Sequence, residues 1–116
     1  MTSRKLSVLV VASALSMAGG AALAQQQGNA DAGKQKSSMC AGCHGIPGYR
    51  TAFPETYTVP KIGGQHASYI VKALQGYKSG DRKHPSMRAI AASLTDQDMA
   101  DLAAYYATTA TATAAK

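Results

Sequence analysis

Cys40-Ala41-Gly42-Cys43-His44 is the stretch around which this 116-residue chain is organised. Two thiols separated by two small residues, with a histidine directly after the second thiol, have the spacing for covalent haem attachment. The two sulfurs can add across the two vinyl groups on one edge of a porphyrin, and the next side chain is then brought under the iron. The sequence therefore predicts thioether bonds at Cys40 and Cys43 and an axial iron ligand at His44.

Two other sites use a C-x-x-C pair and remain as alternatives. A redox disulfide of this spacing normally follows a strand and opens a helix, but no strand-like run precedes Cys40. A zinc site needs about four protein ligands. Besides the motif itself, only His66 and His84 remain as soft partners, since the chain has two cysteines in all. Haem attachment is the favoured prediction.

The beginning of the chain predicts export. Arg4 and Lys5 precede an apolar run over residues 6–18, and an A-x-A sequence ends at Ala24. This is the pattern of a secretory signal peptide over residues 1–24. The alternative is an uncleaved membrane anchor, although the segment is barely long enough to span a bilayer and is interrupted by serines and glycines. Because covalent haem addition to bacterial proteins takes place outside the cytoplasm, the predicted location is the periplasm, without stable membrane insertion after cleavage.

The mature chain is small and weakly basic. Cleavage after Ala24 leaves 92 residues, which is one domain with a limited core of its own. Removing Arg4 and Lys5 from the twelve basic residues leaves ten against six acidic ones, a net charge of +4. Two haem propionates would bring the charge to about +2. No pattern of interleaved basic and aromatic residues accompanies this charge, so we expect no nucleic-acid partner.

A helix is predicted directly before the motif. Residues 25–28 are expected to form a flexible lead-in, and Asn29 is a good N-cap for a helix from Ala30 to Met39. Gly33 lies in the interior of this helix, where glycine costs roughly 1 kcal/mol relative to alanine. We therefore expect another helix to cross closely at Gly33.

A loop is predicted directly after the motif. Residues 45–59 contain glycines and prolines and lack both helical and alternating periodicity. The loop ends at Pro60, whose carbonyl is expected to accept the second N–H of the His44 ring and so to fix the orientation of the ligand. The alternative is a plain turn proline.

Three further helices are predicted from apolar stripes. They cover Gln65 to Lys78, Ser86 to Leu94, and a last helix that follows a Thr95–Asp98 capping box. His66 lies off the stripe of the first of these helices and is expected to be exposed rather than a ligand. The alanine- and threonine-rich residues 108–116 are expected to be disordered.

Met87 is the first candidate for the second iron ligand. It follows a charged loop and Pro85, and this loop can reach over the second face of the porphyrin. Met39 is tethered beside the attachment motif, and Met99 lies in the apolar stripe of the last helix. Two alternatives stay open from the spacing: Met87 as a core residue, and His84 as the ligand, because imidazole also binds haem iron.

This order of motif, Pro60, helix, Met87 and final helix resembles the class I c-type cytochromes. The similarity is to the small bacterial single-haem type and to the halves of two-haem periplasmic cytochromes, and it covers a domain over residues 29–107. The resemblance implies an all-α fold of about four helices around one haem c, with the first and last helices crossed. It also implies Met87 as the distal ligand and pairs Gly33 with an aromatic residue of the last helix, here Tyr105.

The function implied by the resemblance is one-electron transfer in the periplasm. Histidine and thioether ligation raises the reduction potential, and two filled axial positions leave no vacancy for a substrate. We therefore expect a monomeric carrier that works with redox proteins and is not an enzyme. The alternatives are the electron-entry haem subunit of a periplasmic dehydrogenase or oxidase complex, and a haem enzyme with a labile distal ligand.

Overall fold

The computed structural model describes residues 27–52 and 55–113, with side chains described as far as residue 109. The predicted signal peptide, its cleavage site and residues 114–116 lie outside this part. The described residues form five helices and one two-stranded hairpin, in the order α1 (Ala30–Lys36), α2 (Ser38–His44), β1 (Arg50–Thr51), β2 (Tyr57–Thr58), α3 (Ala67–Ser79), α4 (Pro85–Ala92) and α5 (Asp96–Thr113).

The predicted first helix is present but divided into two segments. Asn29 caps α1 as predicted, since its side-chain oxygen accepts from the backbone N–H groups of Asp31 and Ala32 at 2.9 and 3.0 Å. The helix does not continue unbroken to Met39, because it is interrupted at the buried Ser37. The Ser37 hydroxyl donates to the Lys34 carbonyl at 2.7 Å, a side-chain bond that competes with the regular helical pattern. Helix α2 then carries the attachment motif.

Helix α1 crosses α5 at Gly33, as predicted. A Cβ atom at this position would overlap the carbonyl oxygen of Asp101 and lie 2.9 Å from the Cβ of Tyr105. Only glycine allows the two backbones to approach this closely. Gly28 also packs against α5, at the Ala100 carbonyl. The end of the lead-in, expected to be flexible, is therefore held against this helix.

A buried carboxylate fixes the same crossing. Asp101 is 3% exposed and accepts three hydrogen bonds of 2.8 Å, from the backbone N–H of Asn29, the ammonium of Lys36 and the amide of Gln97. Lys36 also lies 2.7 Å from a carboxylate oxygen of Asp98. The Asn29 N–H, with help from Lys36 and Gln97, holds the pKa of Asp101 below its ordinary value.

Helices α3, α4 and α5 enclose the core. Its buried cluster consists of residues from the predicted stripes: Ile70, Leu74, Leu94, Met99, Leu102 and Ala103. Met99 is fully buried, as expected for a core methionine. Cys40, Met87 and Tyr106 are half-buried and pack against this cluster, so the core is continuous with the attachment motif.

The ends of the later helices follow their predicted signals. His66 precedes α3 and is exposed, as predicted. Gly80 ends the same helix at φ 95°, in the left-handed conformation that glycine adopts without strain. Thr95 and Asp98 form the predicted capping box, with the Thr95 N–H donating to the Asp98 carboxylate at 2.9 Å and the Asp98 N–H donating to the Thr95 hydroxyl at 3.1 Å.

The loop predicted over residues 45–59 contains a short hairpin that the sequence did not indicate. Strands β1 and β2 are antiparallel, with Arg50 opposite Thr58 and Thr51 opposite Tyr57. Each strand has two residues, which is too short for an alternating pattern to be recognised.

The prediction of a disordered tail over residues 108–116 is wrong as far as Thr113, because α5 continues to that residue. The hydroxyls of Thr108 and Thr109 donate to the carbonyls of Tyr105 and Tyr106 at 2.8 and 2.9 Å. These bonds use carbonyls of the helix itself. The alanines on either side of the two threonines also favour helix. Among the described residues, no helix is both long and apolar enough to cross a membrane.

Candidate haem site

A cavity of about 370 Å³ opens between α2, the hairpin and the loop after it, α3, α4 and α5. Its walls are largely apolar, with aliphatic side chains from every side: Val59, Ile62, Ile70, Leu74, Ile90 and Leu102. A volume of this order and such a lining are typical of sites for cofactors and small molecules.

The attachment motif faces this cavity with all three of its reactive side chains. Cys40, Cys43 and His44 line it, and they share one side of α2 because residues i, i+3 and i+4 lie on the same face of a helix. Cys40 is half-buried whereas Cys43 is exposed. Burial raises the pKa of the Cys40 thiol, and a hydrogen bond with Tyr106 acts in the opposite direction.

The His44 ring is held by the backbone of the loop that follows the motif. Its Nδ1 lies 2.6 Å from the carbonyl oxygen of Pro60, the contact expected from the sequence. Because a carbonyl only accepts, Nδ1 must carry the proton, and the lone pair of the neutral ring is then on Nε2. Such a backbone acceptor also increases the basicity of a ligating imidazole. That His44 binds iron remains a prediction.

Met87 lines the cavity from helix α4. Of the other methionines in the described ranges, Met39 is 45% exposed and Met99 is buried in the core, and neither lines the cavity. The structure therefore brings Met87 and His44 to one cavity, as the proposed pair of ligands requires.

His84, the alternative ligand, also lines the cavity but is engaged in other contacts. Its Nδ1 accepts from the backbone N–H of Met87 at 3.3 Å, which makes it the N-cap of α4. Its ring lies 4.9 Å from that of Tyr57 and 6.5 Å from that of Tyr77, measured between centroids. The sequence reasoning did not predict this role, but one signal could have revealed it: proline is common at the first helical position, so Pro85 points to residue 84 as a cap.

Several aromatic and basic side chains at the cavity were not singled out as site residues from the sequence. Tyr57, Tyr77 and Tyr106 contribute to the lining. Arg82 also lines the cavity, with its guanidinium 4.9 Å from the centre of the Tyr77 ring and 5.9 Å from that of Tyr69. Tyr77 and Tyr106 belong to the predicted stripes of their helices, whereas Tyr57 and Arg82 lie where no periodicity marked them.

The side chains that meet in this cavity fit a haem group. Cys40 and Cys43 would provide the thioether links, His44 and Met87 the axial nitrogen and sulfur, and the aliphatic walls the contact with the porphyrin. Arg82 and Lys61 are the cationic side chains at the lining and could face its carboxylates. In the described ranges, no three histidine, cysteine or acidic side chains are grouped so that they could hold a metal ion.

The fold and this site define a class of protein: helical haem proteins of the c type, in which haem is attached to a C-x-x-C-H motif. Residues 30–110 match the family model of cytochrome c, and the chain belongs to that family. Cytochrome c4 of Thiocapsa roseopersicina is 44% identical over 88 residues, covering 75% of this chain and 43% of the relative. Cytochrome c-554(548) of Halomonas halodenitrificans is 38% identical over 82 residues, covering 68% of this chain and 94% of the relative.

A solved structure agrees with the sequence comparisons. The crystal structure of reduced recombinant cytochrome c4 from Pseudomonas stutzeri matches with a TM-score of 0.58 and 35% identity, covering 71% of this chain and 46% of that chain. The chain therefore spans less than half the length of the cytochrome c4 relatives it matches.

These findings confirm the predicted family and the all-α cytochrome c fold. They also confirm covalently attached haem c as the cofactor of the family. The individual roles of Cys40, Cys43, His44, Pro60 and Met87 in holding the haem remain predictions.

Proposed function

We propose that the mature protein is a free periplasmic one-electron carrier whose haem iron is bound by His44 and Met87. The observation that supports this most directly is the shared cavity. It is lined by His44, whose ring is oriented by the Pro60 carbonyl, and by Met87, the one methionine in the described ranges that reaches it. Cys40 and Cys43 line the same cavity and would attach the haem.

The proposed ligands suit a carrier. The bound haem would accept and donate one electron reversibly. A thioether sulfur opposite an imidazole favours the reduced state and raises the potential, whereas the Pro60 carbonyl strengthens the imidazole as a donor. The apolar walls limit the access of water to the site, which further tunes the potential. With both axial positions occupied, the site would transfer electrons without binding a substrate at iron.

Absorption spectra of two variants test the ligand assignment. The oxidised protein should show the weak far-red band that arises from sulfur-to-iron charge transfer. Met87→Ala should abolish this band because the sulfur is removed, whereas His84→Ala is the matched control and should retain it. A wild type that lacks this band, with a spectrum that His84→Ala changes and Met87→Ala does not, would assign the site to His84 and withdraw the high-potential carrier.

The proposed location and assembly are tested on the protein from its bacterial host. We propose that the signal peptide is removed after Ala24, so the mature protein should begin at Gln25 and fractionate with the periplasm as a monomer. Mass spectrometry of the purified protein and its elution volume on a sizing column measure both. A mature chain that retains residues 1–24 would favour the membrane anchor, and stable co-purification with a larger protein would favour a subunit of a complex.

A further inference from the structure

We propose that His84 is a positioning residue for Met87 and acts through two contacts. Its Nδ1 atom holds the backbone of Met87, and the face of its ring holds the start of α4 against Tyr57 and Tyr77. This inference rests on the proposed role of Met87 as an iron ligand. It gives His84 a role in the site that differs from that of a competing ligand.

The first contact is the cap of helix α4. His84 has an extended backbone, with φ −162° and ψ 111°, and the helix begins at the next residue, Pro85. The first N–H groups of a helix have no partner within it, and an N-cap side chain accepts from the second or third of them. Here the third helical residue is Met87, and its N–H donates to Nδ1 of His84 at 3.3 Å. The cap bond therefore joins His84 directly to the backbone of the proposed ligand.

The second contact is aromatic and connects three parts of the chain. The centroid of the His84 ring lies 4.9 Å from that of Tyr57 in strand β2, at an interplanar angle of 48°, and 6.5 Å from that of Tyr77 in helix α3, at 79°. Both separations lie in the range of favourable aromatic pairs. All three rings line the cavity. The start of α4 is thereby tied to the hairpin and to α3 at the edge of the proposed haem site.

The same bond also argues against His84 as an iron ligand. In a neutral imidazole, one nitrogen donates and the other accepts. Since Nδ1 accepts from Met87, the proton lies on Nε2, and neither nitrogen then has a lone pair free for a metal. Binding iron through His84 would require the cap bond to break or the ring to change tautomer, and Met87 would lose the contact that fixes its backbone.

Histidine is an unusual cap, and its two functions can be separated by substitution. Asparagine is among the best N-cap residues but has no aromatic ring. Phenylalanine keeps a ring to pack on Tyr57 and Tyr77 but cannot accept a hydrogen bond. His84→Asn therefore preserves the cap, His84→Phe preserves the packing, and His84→Ala removes both.

The test measures how easily added imidazole displaces Met87 from the oxidised haem protein, followed through the loss of the far-red band. His84→Ala should bind imidazole between about two-fold and thirty-fold more tightly than the wild type, the range that corresponds to the loss of a helix N-cap. His84→Asn should recover more of the wild-type affinity than His84→Phe does, because only asparagine restores the bond to the Met87 N–H. The temperature at which the band disappears should follow the same order.

A second cap provides the matched control. Thr95→Ala removes the cap of α5 outside the cavity lining, so it should lower the unfolding temperature and leave the imidazole affinity unchanged. An unchanged affinity in His84→Ala, or an equal increase in Thr95→Ala, would overturn the positioning role. If His84→Ala does not fold, the other two variants decide, and equal affinities in His84→Asn and His84→Phe would overturn it. A wild type without the far-red band would instead withdraw Met87 as the ligand, and this inference with it.

Discussion

At the scale of single residues, the positions that sequence reasoning located are those where a residue type is out of place in its element. Gly33 in a helix interior predicted a close helix crossing, and Pro60 after a loop predicted an acceptor for His44. Both contacts are present. His84 was considered only as a ligand, because a histidine near a haem motif suggests iron binding and its role as a cap depends on where α4 begins. The apolar stripe placed the start of this helix at Ser86, one residue after its observed start at Pro85, so residue 84 was not recognised as the cap.

Gly33→Ala should lower the free energy of unfolding by about 1–3 kcal/mol, the usual range for overpacking. The added Cβ would overlap the Asp101 carbonyl, and this outweighs the helix preference for alanine of roughly 1 kcal/mol. Gly42→Ala is the matched control, because no atom lies within 4 Å of the position of its Cβ. Thermal unfolding followed by circular dichroism measures both, and equal effects would contradict the close crossing.

The thioether links predict a haem that resists extraction. Because both bonds are covalent, haem should stay with the wild-type chain through denaturation and acid extraction, and a haem stain on a denaturing gel should detect it. Cys40→Ala and Cys43→Ala should each leave one tether and sharply lower the yield of mature protein. Haem that is extracted from the wild type would refute the attachment.

At the scale of elements, the length of a pattern decides what can be predicted. Helices α3 and α5 were predicted because their apolar stripes extend over several turns. The hairpin of Arg50–Thr51 and Tyr57–Thr58 has too few residues to show a period. The break at Ser37 depends on one hydroxyl bond to the Lys34 carbonyl, and serine occurs in unbroken helices as well. Local geometry of this kind is not encoded in hydrophobic periodicity.

The contact between α1 and α5 predicts a loss of stability in acid. Lys36, with the hydroxyl and N–H of Thr95, holds the pKa of Asp98 well below its ordinary value of 3.8, and the Asn29 N–H and Lys36 lower that of Asp101. Carboxyls with a lowered pKa stabilise the folded state above the unfolded pKa, and this contribution is lost as the pH falls through the folded values. The free energy of unfolding should therefore decrease as the pH falls below about 4.

Urea unfolding between about pH 2 and pH 7 measures this dependence. Asp101→Ala should flatten the acid limb and cost about 1–3 kcal/mol at neutral pH, because it leaves three donors without their shared acceptor. Asp96→Asn removes an acidic residue at the start of α5 outside this network and should preserve the slope. An acid limb that is equally steep in Asp101→Ala would contradict the role of the network.

At the scale of the whole molecule, the core and the haem site are one structure. Ile70, Leu74 and Leu102 belong to the buried cluster and also line the cavity. A mature chain of about 92 residues buries a limited core alone, so a haem in this cavity would complete the apolar interior. The fold class was predictable because the attachment motif, the helical stripes and Met87 all indicated this arrangement.

The surface charge was harder to predict, because a sequence does not show which basic side chains are already engaged. From the sequence, the edge of the haem site at which a redox partner would dock is expected to be rimmed by some of eight basic side chains: Lys36, Arg50, Lys61, Lys72, Lys78, Arg82, Lys83 and Arg88. Lys36 forms ion pairs with Asp98 and Asp101, Lys78 donates to the Leu94 carbonyl, and Arg82 lies over two tyrosine rings. Lys61 is exposed and lines the cavity, which makes it the clearest candidate for a docking charge.

The rate of electron transfer to an acidic redox protein should depend on ionic strength. Opposite charges accelerate association more than they prolong the complex, which suits a carrier that must dissociate again. The rate should therefore fall as salt is added.

Lys61→Gln should weaken this dependence because it removes a charge at the cavity edge, whereas Lys72→Gln removes the same charge from a position outside the lining and should change it less. Stopped-flow rates at several ionic strengths measure the three slopes. A flat curve for the wild type would contradict electrostatic docking, and equal slopes in the two variants would assign the effect to net charge instead of to the edge of the haem site.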